Sequence, residues 1–350
     1  MAFDFPSSPS VGSQFVAPTG KLYLYDNNSS WTLKGDTQAS NPFSNTFKYR
    51  TIYTRGYTSA GYKNGTPWRN VNKTQHTTDV TTNLGDMLDY SASYIGGGFS
   101  DYYHYVYGMS GAVMGSSTHT SSVNMATDSG RTHNANWNTK TTRGDCEALM
   151  NSNLTVGYIV AGGTINTDKH NYVTEIMMTA GSAPSNPLTA GGAGNGVASM
   201  FGEFRGWIGI STSGAYLDWA TETWASGSWS TDADGQPKGL SSKHGFGYVA
   251  QGSYGGSATY RKFNDFNGGS SVANISRPEP CGEENHQVGQ NWGYSIGSYN
   301  GNIGQTNNTQ KINYLTDTST AMGSDTQPKG HDGMSSGCCG TASAFLLGGA

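Results

Sequence analysis

The residues from which a metal or thiol site could be drawn are four cysteines, Cys146, Cys281, Cys338 and Cys339, and eight histidines. The adjacent pair in "SGCCGT" has His331 nearby, and Cys281 sits in "PCGEENH" with His286. Neither stretch has the C-x-x-C spacing and second ligand pair that a zinc site requires. Four scattered cysteines are also too few for a disulfide framework, so small buried thiols are the expectation. "GDCE" (Gly144 to Glu147) sets acids beside a thiol without a histidine at nucleophile or ligand spacing. "DADG" (Asp232 to Gly235) opens like a calcium loop but has no glutamate at the closing position, and reads as a turn. Glycoside hydrolysis needs paired carboxylates, or a tyrosine nucleophile, in a shaped site. Here the arginines that such a site would gather are spread from Arg50 to Arg277. No catalytic, cofactor-binding or metal-binding residue is therefore expected, and the chain does not read as an enzyme. A glycan-active enzyme stays open as the third alternative, because residues distant in sequence can converge in space.

Contact chemistry is better represented. "NNSSW", "SDYYHYVY" and "ENHQVGQNWGY" (Glu284 to Tyr294) combine aromatic rings with amides and hydroxyls. Such surfaces suit carbohydrate or protein partners, because rings offer rigid area while small polar groups adapt their hydrogen bonds. The same residues could equally fill the contacts between strands.

Composition narrows the partners. Charged residues make up 13% of the 350 residues and the net charge is -4, with no Lys/Arg cluster, so nucleic acid is not an expected partner. "MAFDFPSSPS" lacks the basic and apolar regions of a secretory signal, and no apolar run of about 18 residues is present to insert in a bilayer. Synthesis in a cytoplasm is the matching expectation. With 50 glycines, 21 tyrosines and 8 tryptophans the chain is too aromatic for disorder and should fold as strands.

An internal repeat organises those strands. "GYIVAGG" at Gly157 is echoed by "GYTSAGYKNG" at Gly56, "GMSGAVMG" at Gly108, "GWIGISTSG" at Gly206, "GYVAQGSYGG" at Gly247 and "GYSIGSYNG" at Gly293. Successive anchor glycines are 52, 49, 49, 41 and 46 residues apart. That is the period of propeller blades, whereas solenoid coils are shorter; a sandwich is the other alternative. Second extended runs follow each anchor, as in "SVNMATDSG", "VTEIMMTAG", "TYRKFNDFNG" and "QKINYLTDTST", with turn-rich segments between. The expectation is an all-β propeller of six or seven blades of about 40 to 50 residues, the anchor phrase forming the strand nearest the axis.

The tetrad "QPKG" recurs at Gln236 and Gln327, each copy followed by a glycine-rich lead and an apolar strand. The second copy ends in "SAFLLGGA", an anchor with no second half. This predicts ring closure by strand exchange between the chain ends, through Phe345, Leu346, Leu347, Gly348 and Gly349. The missing strands would come from Gly20 to Asp36 or Asn45 to Thr54. Residues 1–35 are expected as a docking segment and hairpin that also serves as a candidate for the closing blade, and 36–350 as the propeller.

Two resemblances add to this. "GYIVAGG", "FLLGGA" and "LYLYDNNSSWTL" (Leu22 to Leu33) resemble the kelch class of propeller repeat, which implies architecture only. "FPSSPSVGSQFVAPTGKLYLYDNNSSW" (Phe5 to Trp31) is similar to a segment of structural proteins of tailed bacteriophages, especially marine and cyanobacterial phages. Phe5, Pro6, Pro9, Tyr23, Tyr25 and Trp31 stand at its matching positions. The resemblance implies a virion structural protein docked through these residues to other virion proteins. Its alternative is a tail or fibre adhesin that recognises a host-surface receptor or glycan.

Overall fold

In the computed structural model the described residues are 14–16, 21–25, 31–36, 53–59, 62–63, 66–67, 69–88, 98–100, 105–109, 118–125, 127–142, 146–151, 156–161, 164–182, 198–202, 204–210, 213–228, 238–241, 246–250, 258–264, 271–278, 285–288, 292–300, 304–322 and 336–341. The chain divides into two compact units, Met1–Thr51 and Ile52–Ala350.

The first unit holds one antiparallel sheet of β1 (Gln14–Val16), β2 (Lys21–Tyr25) and β3 (Trp31–Asp36), in the order β1-β2-β3. Tyr25 lies opposite Trp31 and Tyr23 opposite Leu33, with a register shift between Leu22 and Tyr23.

The second unit begins with β4 (Tyr53–Ser59), the short ribbon β5 (Tyr62–Lys63) and β6 (Thr66–Pro67), then β7 (Asn70–Gln75) and β8 (Val80–Asp86). Four-strand units in direct sequence follow. The first comprises β9 (Gly98–Ser100), β10 (Tyr105–Met109), β11 (Thr120–Asn124) and β12 (Ser129–Gly130). The second comprises β13 (Cys146–Met150), β14 (Val156–Ala161), β15 (Asn166–Asn171) and β16 (Ile176–Ser182). The third comprises β17 (Ala198–Phe201), β18 (Arg205–Ile210), β19 (Ser213–Asp218) and β20 (Thr223–Ser228). The fourth comprises β21 (Lys238–Ser241), β22 (Phe246–Ala250), β23 (Thr259–Asn264) and β24 (Ser271–Ser276). The fifth comprises β25 (Asn285–Val288), β26 (Trp292–Asn300), β27 (Gly304–Asn313) and β28 (Thr318–Ala321).

Each of these is an antiparallel meander in which every strand pairs with the next, and the first strands β9, β13, β17, β21 and β25 lie each against the following one. This is the arrangement of a β-propeller, and the chain is all-β apart from a single 3-10 turn at Ala135–Trp137 among the described residues. Five blades are thus built from consecutive strands, against the six or seven expected. A further four-stranded sheet is composite: β29 (Ser336–Thr341) pairs antiparallel with β4, giving the order β29-β4-β7-β8.

The anchor phrases are not on the first strands. Gly56, Gly108, Gly157, Gly206, Gly247 and Gly293 fall on β4, β10, β14, β18, β22 and β26, each the second strand of its sheet. The crowding inferred from glycine is present, but its source is the neighbouring sheet's first strand at Gly56 and Gly247, and at Gly206 that strand together with Trp219 of the same blade. A Cβ on Gly56 would lie 2.1 Å from Gln287 Oε1 on β25, and one on Gly247 2.0 Å from Met200 Sδ on β17. A Cβ on Gly206 would lie 2.8 Å from Leu149 Cδ1 on β13 and 2.3 Å from Trp219 Cη2. At such separations a methyl group fits only if the neighbouring side chain moves.

Between the sheets lie buried apolar clusters. Leu149, Tyr158 and Val160 meet Ile208, Ala215 and Leu217 between the second and third blades. Ala198, Met200 and Trp207 meet Val249 and Phe263 between the third and fourth. Each fully buried side chain of this size contributes about 1.5 to 3 kcal/mol, so apolar contact between sheet faces supplies most of the cohesion.

Candidate functional site

The sequence-predicted docking residues Phe5, Pro6 and Pro9 and the closing residues Phe345, Leu346, Leu347, Gly348 and Gly349 lie outside the described residues. Tyr23 and Tyr25 are on β2 and Trp31 starts β3. Of the thiol and acid motifs, "GDCE" leads into β13, where Cys146 is buried. Beside it Glu147, also buried, accepts a hydrogen bond from Ser199 Oγ of the next blade at 3.0 Å. Among the described residues no group of three or more His, Cys, Asp or Glu is placed to hold a metal ion.

The polar chemistry that the chain does assemble is a recurring latch between sheets. In a strand consecutive side chains point to opposite faces. The anchor dipeptide therefore turns bare glycine toward the preceding sheet and the following aromatic toward the next one. Opposite that aromatic, on the third strand, stands a lysine: Tyr57 pairs with Lys73, Tyr158 with Lys169, Tyr248 with Lys262 and Tyr294 with Lys311. Phenol and ammonium converge on one carboxylate from the turn between the third and fourth strands of the adjoining sheet.

Tyr158 Oη donates to Glu222 Oε1 at 2.9 Å, and Lys169 pairs with the same oxygen. Tyr57 Oη donates to Asp128 Oδ1 at 2.9 Å while Lys73 takes Oδ2, with Arg55 3.8 Å from Oδ1. Tyr248 Oη donates to Asp317 Oδ1 at 2.9 Å and Lys262 Nζ reaches Oδ2 at 2.8 Å. Tyr294 Oη donates to Asp79 Oδ1 at 2.9 Å and Lys311 holds Oδ2. Between the first and second blades the register places Ser122 opposite Tyr107, where lysine stands elsewhere. Arg131 supplies the charge instead, its Nη2 meeting Glu175 Oε1 and Oε2 at 3.0 and 2.9 Å.

The turns that present these acids share one local design. Asp79, Asp128, Glu175, Glu222 and Asp317 have φ of 58°, 49°, 55°, 52° and 54°, in the left-handed region that side chains resist. An Asx turn sets up three of them: Asn171 Oδ1 accepts from Val173 N and Thr174 N, Asp218 Oδ1 from Ala220 N and Thr221 N, and Asn313 Oδ1 from Leu315 N and Thr316 N. In two of these turns the residue after the Asx position, and in the β7–β8 turn His76 after Gln75, stacks on the facing latch tyrosine. Trp219 lies over Tyr158 at 5.5 Å, Tyr314 over Tyr248 at 5.3 Å and His76 over Tyr294 at 4.7 Å.

Electrostatics keep the latch in one state. Burial pushes the Tyr158, Tyr248 and Tyr294 phenols up, and the adjacent carboxylate pushes them further, so each remains a donor. For Glu222, partial burial pulls its carboxyl upward, but the hydrogen bonds and charge from Lys169 and Tyr158 prevail and hold it below its usual range. The carboxylate stays ionised at neutral pH. The ion pairs are half-exposed, with side-chain exposures such as 21% for Lys169 and 40% for Glu222. Pairs of that kind contribute about 0 to 1 kcal/mol. Against the apolar burial beside it, the latch is therefore a small energetic term. Its directionality fixes which turn meets which sheet face.

The signal for this site is in the sequence, as a Thr-acid pair recurring at Thr78-Asp79, Thr127-Asp128, Thr174-Glu175, Thr221-Glu222 and Thr316-Asp317. The intervals between the threonines are 49, 47, 47 and 95 residues, the last close to two repeats. It is hard to see beside the glycine anchors, because Thr127-Asp128, Thr174-Glu175 and Thr316-Asp317 sit inside what look like extended runs.

No protein-family profile matches the chain, and no curated protein matches it. Among solved structures it is similar to one titled "Structure of YjhT", with a TM-score of 0.56 and 11% identity over 78% of this chain and 98% of that one. At that identity the likeness concerns the fold, and it agrees with the propeller arrangement of the sheets.

Proposed function

We propose that the chain is a structural protein of a tailed-bacteriophage particle: a kelch-like propeller displayed on the virion and anchored to another virion protein through its N-terminal segment. The observation that carries this reading is the division of the chain at Thr51. The stretch similar to phage structural proteins, Phe5 to Trp31, lies wholly within the small first unit, which has its own three-stranded sheet. In the larger unit the described Lys/Arg–Asp/Glu pairs join its own sheets to one another. Deleting residues 1–51 tests it. The remaining chain is expected to fold and to be missing from assembled particles, and normal incorporation would contradict the reading.

The reading includes a closed ring of six sheets. Supporting it, β29 lies against both β25 and β9, and Tyr294 and Lys311 of the fifth blade latch onto Asp79 of the composite sheet. Removing residues 336–350 should then abolish cooperative unfolding of the whole unit. Wild-type stability in that truncation would rule out closure.

A receptor- or glycan-binding adhesin is favoured by a different observation. Val173 and Leu315, on the third-to-fourth-strand turns, are 83% and 64% exposed, and Phe204 is 51% exposed. Exposed apolar side chains at turns, beside the aromatic and amide-rich loops of the sequence, are the contacts such an adhesin would use. The adhesin reading expects purified protein to bind host cells or compete with infection, and failure in both assays removes it.

A further inference from the structure

The face that the composite sheet turns toward the fifth blade is lined with hydroxyls and amides. Gly56 lies opposite Thr74, and Thr58 opposite Asn72. By strand alternation Asn70 shares that face, because Val71 and Tyr57 point the other way, into an apolar cluster with Val123 and Met125. Thr58, Asn70, Asn72 and Thr74 are all fully buried. The same positions in later blades carry apolar bulk: Leu217 lies opposite Gly206, Phe263 opposite Gly247 and Ile312 opposite Gly293. Each of those three packs in a buried cluster, and Thr74 stands where they stand.

Much of this hydrophilic face is satisfied within its own sheet. Asn83 Nδ2 donates to Asn72 Oδ1 at 2.8 Å, Asn83 Oδ1 accepts from Gly85 N at 2.8 Å, and the hydroxyls of Thr74 and Thr81 lie 3.1 Å apart. Across the joint Gln287 Nε2 donates to Thr58 Oγ1 at 2.7 Å, a bond that water can replace. Two groups gain no hydrogen bond from closure. Neither amide atom of Asn70 has a partner, and neither has Thr309 Oγ1, which alternation from Lys311 places on the fifth blade's side of the joint. Burying such groups costs free energy that hydration would return. Tyr294, Lys311 and Asp79 latch this joint as their counterparts latch others, so the difference lies behind the latch.

From these two faces we propose that the joint between the fifth blade and the composite sheet is a hydrophilic seam, at which the propeller parts reversibly while its apolar joints stay closed. Separating apolar faces exposes surface that water disfavours. Separating this one exposes groups that are already paired or that water pairs, so its opening free energy belongs at the low end for the fold. The inference rests on the closed ring proposed above and does not depend on the virion reading.

Thiol labelling of the intact protein tests it. Thr74→Cys places a thiol in the seam, and Ala215→Cys places one in the cluster between the second and third blades; both sites are fully buried, and both changes alter side-chain volume little. Reaction with a maleimide is followed at each site by peptide mass spectrometry, which separates it from the native cysteines, and each rate is divided by that of the urea-unfolded chain. Position 74 is expected to react about ten-fold faster than position 215. Thr309→Val, which removes the unpartnered hydroxyl and keeps the shape of the side chain, should slow labelling at 74 about two- to five-fold and leave 215 unchanged. Equal rates at the two positions overturn the proposal, as does failure of Thr309→Val to slow position 74 selectively. Labelling at 74 as fast as in the unfolded chain would overturn the closed ring itself, and the seam with it.

Discussion

Tyr158 and Glu222 belong to consecutive blades and are joined by a 2.9 Å hydrogen bond from the phenol to the carboxylate. The same carboxylate receives Lys169, and the ring carrying the phenol is covered by Trp219. One side chain thus serves as apolar wedge, ring platform and polar pointer. Tyr158→Phe removes only the last of these, and is expected to lower unfolding stability by about 1 kcal/mol in urea titration. Combined with Glu222→Gln in a double-mutant cycle, it should show a coupling of about 0.5 kcal/mol or more. Strict additivity of the two would mean that the hydrogen bond contributes nothing.

The repeat is legible because its period survives in every copy and its glycine in all but the first blade, where Val106 precedes Tyr107 and Gly108 follows it. Which strand carries it is not, because glycine reports crowding without naming the neighbour. Here the neighbour is a side chain from the preceding sheet at Gly56 (Gln287) and Gly247 (Met200), and at Gly206 both Leu149 of the preceding sheet and, closer, Trp219 of the same blade; the anchor strand lies second in its sheet. The composite sheet was harder still. Its C-terminal member is "SGCCGT", a run of small residues with little strand signal, while "SAFLLGGA", which reads more strongly as a strand, lies outside the described residues. Ion-pair partners such as Asp79 and Lys311, which meet across 232 residues of sequence, could not be paired from sequence, although the recurring Thr-acid unit marks one side of each latch.

The glycines differ in what faces them, which makes their substitution informative. At Gly206 a methyl group would press on Trp219 Cη2 at 2.3 Å, part of a rigid indole that also donates through Nε1 to Gly202 O at 3.0 Å. At Gly247 the obstacle is Met200, whose thioether has freedom to rotate away. Gly206→Ala is expected to cost about 1 to 3 kcal/mol, and Gly247→Ala less. Equal losses in thermal or urea unfolding would count against the contact at Trp219 as the deciding one.

The turn acids combine a strained backbone with a needed side chain, and two substitutions separate these. Asp317, at φ 54°, accepts from both Tyr248 and Lys262. Asp317→Ala loses the acceptor and keeps the left-handed strain, which costs about 1 to 2 kcal/mol for a residue with a Cβ. Asp317→Gly loses the acceptor but relieves the strain. The glycine variant should therefore be the more stable of the two in differential scanning calorimetry. If alanine is tolerated as well as glycine, the left-handed geometry at this turn is relaxed in solution.

His170 gives the fold an acid-sensitive point beside the arginine version of the latch. It is fully buried on β15, with its ring 5.7 Å from that of Tyr172. Burial pulls its pKa from 6.5 down to about 4; the nearby charge of Glu175 opposes the shift and that of Arg131 reinforces it. In the unfolded chain the imidazole protonates near 6.5, while in the folded protein it stays neutral until about pH 4. The stability this neutral group contributes is therefore complete above pH 6.5 and is lost as pH falls toward 4, where both forms carry the proton. A shift of that size corresponds to a loss on the order of 3 kcal/mol across the window. His170→Leu, whatever its effect at pH 7, should flatten the difference in unfolding free energy over the same window. An unchanged slope in the variant would place the acid sensitivity elsewhere, in the carboxylates that protonate at the lower end of the range.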